Sequence, residues 1–257
     1  MSAGELTWGD VIVPDWPAPP WVRACTTTRR GGESAGAFAS LNLAQHVGDD
    51  PATVAANRAR LCAGLALPVE PLWLAQVHGC DAVSLEVAAG MVEPPAADAA
   101  VTRAPGQVCA VLTADCLPVL LCDRGGSVCA AVHAGWRGLH RGVIEAALAR
   151  LGRPSASVLA WLGPAIGPSR FEVGPEVRAA FLAQDAGVAH AFRPGAGDRW
   201  LADLYALARR RLAGAGVKQV SGGGLCTASD AARFYSYPRD GRTGRMATLV
   251  WLAAGAD

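Results

Sequence analysis

Apolar positions along this chain fall mostly into short runs closed by polar or turn-forming residues. AVSLEV (82–87), QVCAVLTAD (107–115), PVLLCD (118–123), SVCAAVHAG (127–135), SVLAWLG (157–163) and MATLVWLA (246–253) each read as a strand. They are short, rich in β-branched or other apolar residues, and bounded by Gly, Pro or Asp. Between 107 and 133 the apolar character is nearly continuous, which predicts strands covered on both faces. Helical spacing occurs where Asp50 can cap, Pro51 can occupy the first turn, and Val54, Leu61 and Leu65 share a stripe. A second helix is predicted from Leu139 to Leu151, with Gly152 as its stop, and others over 175–184 and 201–213. Paired prolines make 88–98 a loop, and RPGAGDR (193–199) is another. Without repeat, low-complexity tract or linker, residues 1–257 read as one mixed α/β domain of several layers, with 1–20 as an N-terminal extension or edge.

Composition narrows the function classes. The chain is 51% hydrophobic and 18% charged, which suits a packed globular protein. Lys plus Arg (23) nearly balances Asp plus Glu (22), so nucleic acid and membrane surfaces are not expected partners. No apolar run approaches the ~20 residues that cross a bilayer. The N-terminal stretch lacks the basic start and apolar core of a signal peptide. Several of the eight cysteines sit inside apolar runs, so most are expected to be buried free thiols of a reducing cytoplasm.

Three segments place metal-ligand residue types at predicted strand ends: AQVHG with His78, TADCLPVLL with Cys116, and VHAGWRG with His133. Their separations are far longer than the ~2–4 residues of a zinc knuckle. They are compatible with three neighbouring elements meeting at one sheet edge, where Gly79, Gly135, Gly138 and Pro118 allow sharp turns. Two imidazoles and a thiolate suit zinc, and three protein ligands leave a fourth position open. A buried strand histidine is more often a satisfied core residue, so spacing alone leaves both readings standing.

QVHG, TADCLPVLL, HAGWRG, GPAIGPSRFEVGPEV and RFYSYPRDGRTGR together resemble the YfiH/laccase-domain family. The resemblance starts at CTTTRRGG (25–32), continues through SLNLAQHVGDDP, and covers nearly the whole chain. Members are variously described as polyphenol oxidases, purine nucleoside phosphorylases and peptidoglycan editing factors. The resemblance implies a layered α-β-β-α sandwich and makes His78, Cys116 and His133 the metal ligands. It also implies phosphorolysis of adenosine, inosine and methylthioadenosine, and deamination of adenosine. In the one departure visible here, Pro238 stands where members commonly carry a basic residue.

The residue inventory disfavours laccase chemistry. A multicopper centre draws on His-x-His pairs, whereas this chain has five histidines (46, 78, 133, 140, 190) and no such pair. A lone blue-copper site would want an axial methionine, and Met1, Met91 and Met246 lie outside these motifs. Zinc is therefore the expected ion, although copper binds such ligands tightly enough to occupy the site adventitiously. Deamination needs a metal-activated water and a general acid/base, for which Asp115 is a candidate; the deaminase signature H-x-E…P-C-x-x-C is absent. Phosphorolysis needs a phosphate cradle, and Arg58 in NRARL is the leading ligand ahead of Arg137, Arg239, Arg242 and Arg245.

Ser40 and Asn42 in SLNL are candidates for ribose hydroxyls, with an Asx turn or cap as the plainer role. Gln76, two before His78, would face the same side of a strand and either meet substrate or orient a ligand. His46 reads as a structural or pocket-wall residue, and Trp136 as a packing anchor.

Two alternatives use the same residues. A metal-free cysteine hydrolase would take Cys116 as nucleophile and His133 as base, with Asp115 or Gln76 orienting. An editing hydrolase would act on a cell-wall precursor. A binding module without chemistry fits an open three-ligand site least well. The expected partners are a nucleoside and phosphate, and the expected state is a monomer or weak homo-oligomer.

Overall fold

The computed structural model describes residues 6–254. In chain order the elements begin with strands β1 (Val11–Ile12) and β2 (Val22–Thr27), helix α1 (Pro51–Gly64), β3 (Ala82–Ser84) and α2 (Leu85–Ala88). Next come β4 (Ala99–Thr102), β5 (Val108–Thr113), β6 (Leu117–Asp123), β7 (Cys129–Ala134), α3 (Trp136–Arg141), α4 (Val143–Leu151) and β8 (Val158–Leu162). The remainder are β9 (Glu172–Val173), α5 (Pro175–Gln184), β10 (Phe192–Pro194), β11 (Trp200–Ala202), α6 (Leu204–Gly214), β12 (Gln219–Gly222), α7 (Tyr237–Asp240) and β13 (Met246–Leu252).

Two principal sheets lie face to face. One is antiparallel and four-stranded, in the order β1-β2-β13-β5. The other is six-stranded and mixed, in the order β12-β8-β6-β7-β4-β3, with parallel pairs only at its two ends. A small three-stranded sheet, β10-β11-β9, stands apart from both.

The period-2 alternation of strands sorts side chains into layers. Cys109 and Val111 of β5, Leu120 and Cys122 of β6, Ala131 of β7 and Val250 of β13 pack together between the sheets. Intervening residues Val108, Ala110, Leu249 and Trp251 face α1, meeting Leu61 and Leu65. On the far side, Leu117, Val119, Leu121, Ala130 and Val132 pack against Ile144 and Leu148 of α4 and Leu207 of α6. This is the α-β-β-α order. Doubly covered strands explain the near-continuous apolar runs: both faces of β5, β6 and β7 are buried. Each fully buried leucine contributes roughly 1.5–3 kcal/mol relative to exposure.

The local chemistry of several elements matches the sequence. Asp50 caps α1 by accepting the Thr53 N–H at 2.8 Å, and Pro51 opens the helix. Other expectations are corrected. The predicted 139–151 helix is two helices, broken at Gly142, whose φ of +92° suits glycine. The run 82–87 leaves the sheet after Ser84 to form α2, because Glu86 folds back on the 102–104 turn. The loop at 193–199 contains the end of β10. Strands β1, β2, β4, β9, β10, β11 and β12 lie outside the predicted set. Of the expected N-terminal edge, residues 1–5 lie outside the described residues, and β1 pairs with β2 at the border of the four-stranded sheet. No described helix is long and apolar enough to cross a membrane.

Candidate metal centre

Three chain segments converge at one end of the interface between the sheets. On β7 the residues facing the other sheet are Cys129 and Ala131, and the same alternation turns His133 that way. Register puts Pro118 opposite His133, so Cys116, just before β6, stands beside the end of β7. His78 comes from a bend outside any named strand, with φ +57°. The expectation that His78 ends a strand is therefore corrected, and the same-face relation of Gln76 to His78 goes with it.

The ligand atoms of His78, Cys116 and His133 lie within 4.8 Å of one another. Cys116 Sγ is 3.9 Å from His78 Nε2, and the two imidazoles meet edge to face with ring centroids 4.8 Å apart. Gly135 makes the approach possible. A Cβ there would sit 2.9 Å from Cys116 Sγ and 3.3 Å from His78 Cδ2.

Asp98, outside the sequence candidates, organises the cluster. Its side chain is fully buried, and its Oδ1 lies 2.8 Å from His133 Nδ1. The same carboxylate accepts the backbone N–H of His78 at 3.0 Å and of Gly79 at 2.6 Å, with Val77 at 3.3 Å. One group therefore orients the His133 ring, leaving Nε2 for a ligand, and holds His78 in its left-handed conformation. Burial pushes the Asp98 carboxyl up, but the hydrogen bonds from His133, Gly79 and His78 bring it below its ordinary value.

Electrostatics couple the cluster further. Burial opposes ionisation of Cys116, but the charges and hydrogen bonds of His133 and His78 lower its thiol to about 6. Burial opposes protonation of His133, yet Cys116 and Asp98 raise it to about 9. This donor set fits zinc. A borderline ion takes thiolate and imidazole together, a carboxylate backs one imidazole, and the three donor atoms already stand close enough together that they would share one ion. The chemistry of the donors does not choose zinc over copper by affinity alone.

The cluster opens into a cavity of about 420 Å³, also lined by His46, Asp115, Arg137, Tyr237 and Arg245. Asp115 is on its wall, but its carboxylate is fully engaged. Oδ1 accepts from the Thr227 hydroxyl at 2.6 Å and the Ser236 hydroxyl at 2.7 Å, and Oδ2 accepts from the Tyr237 N–H at 2.6 Å. Burial raises its pKa against those hydrogen bonds.

The other sequence candidates divide. Gln76 reaches the cavity wall, but its amide is tied to both backbone groups of Leu112, at 2.8 and 2.7 Å. Arg58 lines the neighbouring cavity rather than the cluster's. Its Nε and Nη2 donate to Leu43 O, and its guanidinium lies 4.3 Å from the Trp73 ring centroid.

The ribose expectation is corrected at Ser40 and Asn42, neither of which lines either cavity. Ser40 donates to Arg29 O and accepts from Gly32 N. Asn42 is fully buried and gives both amide protons to Ala44 O and Asp49 Oδ2 while accepting from Ala44 N and Arg245 N. That is an Asx-type anchor which fixes Arg245 from behind. Arg239 and Arg242 are also engaged: Arg239 binds Asp240 and the carbonyls of Thr227 and Phe234, and Arg242 binds Gly48 O.

Fold and cluster together define a layered α-β-β-α protein with a His-Cys-His centre at the end of its sheet interface. The chain belongs to the YfiH/laccase-domain family: residues 23–253 match the family described as multi-copper polyphenol oxidoreductase laccase. It is 54% identical to a protein of Pseudomonas aeruginosa named purine nucleoside phosphorylase, over 94% of this chain and 98% of that one. A protein of Escherichia coli, purine nucleoside phosphorylase YfiH, is 53% identical over 94% of this chain and 98% of its own. Among solved structures, a Neisseria meningitidis protein superposes with a TM-score of 0.92 at 46% identity, covering 95% of this chain and 100% of that one. YlmD from Geobacillus stearothermophilus gives 0.84 at 32% identity, over 92% and 94% of the two chains.

Proposed function

We propose that this chain is a zinc-dependent purine nucleoside phosphorylase that also deaminates adenosine, with adenosine, inosine and methylthioadenosine as substrates. The carrying observation is the three-ligand cluster on the wall of a cavity that also holds two arginines. Relatives named purine nucleoside phosphorylase, matched over almost their full length, support the enzyme class. His78, Cys116 and His133 would hold the ion. When bound, zinc supplies Lewis acidity beside the substrate.

The protein's own groups do the rest. Asp98 keeps His133 Nδ1 occupied, so that the other ring nitrogen faces the centre. Arg245, whose backbone N–H is held by Asn42 and whose Nη1 donates to Thr243 O and Gly244 O, and Arg137 present positive charge on the cavity wall, where a phosphate oxyanion gains most from fixed donors. This moves the phosphate role from Arg58 to Arg245 and Arg137. Asp115 positions the 236–237 turn rather than exchanging protons. The chain works in the cytoplasm, where its free thiols persist, as a monomer or weak homo-oligomer acting on small molecules.

Chromatography of adenosine incubated with metal-quantified protein tests this reading. Free adenine should form only with phosphate, and inosine without it. Metal-replete protein that yields neither product sinks the proposal.

One observation favours a second reading. Asp98, His133 and Cys116 stand in series, with the thiol depressed and the imidazole raised, which is the arrangement of a cysteine nucleophile. Full activity after chelation, abolished by alkylation of Cys116, would establish that reading instead.

A further inference from the structure

The wall of the cluster's cavity holds one buried polar atom that folding leaves unspent. Thr113 closes β5 and is 2% exposed, yet among the described residues its Oγ1 has no hydrogen-bond partner. Other buried strand threonines are satisfied. Thr26 and Thr248 share a hydrogen bond of 2.8 Å, Thr27 accepts the Ala247 N–H at 2.9 Å, and Thr102 meets Glu86 and Gln107. Thr243 also lacks a partner, but it lies off the cavity whose wall Thr113 helps to form. Cys109 and Val111 of β5 pack between the sheets. The same alternation turns Thr113 into that interface, at the end where His133 stands.

An orphaned buried hydroxyl destabilises a fold, and valine would fill the same space without that penalty. The fold keeps such an atom at no loss where a ligand supplies the missing partner. The neighbouring groups identify the ligand's chemistry. Register pairs Thr113 with Met246, so Arg245 lies one residue away across the pair. Arg245 gives Nη1 to Thr243 O and Gly244 O, and among the described residues its Nε and Nη2 have no acceptor. Arg137, on the same wall, lies 4.5 Å over the ring of Trp136 and donates to no described residue. Two guanidiniums and a hydroxyl, all short of acceptors, are completed by a group that only accepts and carries negative charge. Gln76 stiffens this end of β5 by binding the Leu112 N–H and carbonyl at 2.7 and 2.8 Å, so the hydroxyl is offered from a fixed backbone.

We propose that the Thr113 hydroxyl is a donor to the attacking phosphate, beside Arg137 and Arg245, and that it sets the balance between phosphorolysis and deamination. The inference rests on the phosphorylase reading and adds the residue that separates its two reactions. Phosphorolysis needs an anion held at this corner of the cavity, whereas deamination consumes water.

Thr113→Val and Thr113→Ser test it in metal-loaded protein, with adenosine as substrate and inorganic phosphate below its KM. Valine keeps the branched shape and removes the hydroxyl; serine keeps the hydroxyl and removes a methyl. In Thr113→Val the KM for phosphate should rise at least about tenfold, the loss of one charge-assisted hydrogen bond. The ratio of adenine to inosine formed should fall by the same factor. Thr113→Ser should stay within about threefold of wild type on both measures. In phosphate-free buffer Thr113→Val should melt no lower than wild type, because the hydroxyl it loses has no partner in the fold. A merely structural role would lower both products together and leave their ratio. An unchanged ratio, a wild-type phosphate KM, or melting several degrees lower in Thr113→Val each overturns the inference and leaves the enzyme class intact. Wild-type protein that forms no adenine at any phosphate concentration overturns both.

Discussion

Asp98 and His133 are joined twice. The carboxylate Oδ1 lies 2.8 Å from His133 Nδ1, and the Asp98 carbonyl accepts the His133 backbone N–H at 2.7 Å. Ring orientation and strand position are thereby fixed by one residue at the mouth of β4. Because the same carboxylate also binds the backbone of 77–79, two of the three ligands depend on it.

Asp98→Asn should therefore loosen the metal more than loss of one contact implies. Asn keeps a single acceptor oxygen and directs an NH₂ toward either the imidazole or the Gly79 N–H. A metal affinity roughly 10–100-fold weaker is expected, the usual cost of removing such a partner. Competition with a chromophoric chelator measures it, and an affinity within about twofold of wild type would contradict the role.

Gly135→Ala probes the same centre through sterics. The backbone at Gly135 has φ −66°, which alanine tolerates, so only the added methyl matters. That methyl meets Cys116 Sγ at 2.9 Å and His78 Cδ2 at 3.3 Å. The variant should fold, with unchanged far-ultraviolet circular dichroism, and bind metal about tenfold more weakly, a displacement cost of roughly 1.4 kcal/mol. Wild-type affinity would mean that the ligands have room to spare.

Much of this architecture was legible in the sequence because doubly buried strands leave continuous apolar runs. That signal located β5, β6, β7, β8 and β13. It failed where the run is too short to read: β4 is only AAVT, two alanines before two β-branched residues, directly after a proline-rich loop, and is recruited by pairing with β7. Asp98 is hidden for the same reason, since it ends a proline-rich loop and leads directly into the short strand β4. An acidic residue leading directly into an apolar run is the signal that could have found it. The QVHG motif marks His78 but not its conformation, since a left-handed histidine held by a distant carboxylate leaves no local trace. Asn42 and Ser40 carry polar atoms that folding consumes internally, which sequence cannot distinguish from atoms left for a ligand.

The thiol of Cys116 gives a pH signature in the metal-free protein. Its pKa falls from an ordinary 9.0 to about 6, so the reactive thiolate predominates above about pH 6. Alkylation of chelator-treated protein by iodoacetamide should rise through that pH, and added zinc should suppress it. Burial pushes the Cys25 thiol up to about 12, which keeps it silent. Cys226 is also lowered, so the rate is read as the difference from Cys116→Ser. An inflection at the ordinary thiol value of about 9 would show that the two histidines do not stabilise the thiolate.

Glu86 tests the fold away from the centre. Its Oε1 accepts from Thr102 Oγ1 at 2.9 Å and from the Arg103 N–H at 2.5 Å. Burial opposes ionisation, but these bonds and Ser84 bring the carboxyl from 4.5 down to about 2. A depressed carboxyl stabilises the fold above its unfolded value and loses that contribution as pH falls through the folded one. The gap in melting temperature between wild type and Glu86→Gln should be full above about pH 5 and should close between 4.5 and about 2. A gap constant over that range would place the stabilisation in shape rather than charge.

Asp115 separates a positioning role from a proton-transfer role. Its two oxygens receive three donors, two of them hydroxyls that are themselves fully buried, on Thr227 and Ser236. In Asp115→Asn one oxygen can still accept those hydroxyls, but the new NH₂ then faces the Tyr237 N–H, donor against donor. Leaving that amide unsatisfied costs about 1–3 kcal/mol, enough to lower the melting temperature measurably. If Asp115 only positions, the pH profile of kcat keeps the wild-type shape while stability falls. A variant as stable as wild type that has lost one limb of that profile would return Asp115 to the chemistry and remove it from the framework.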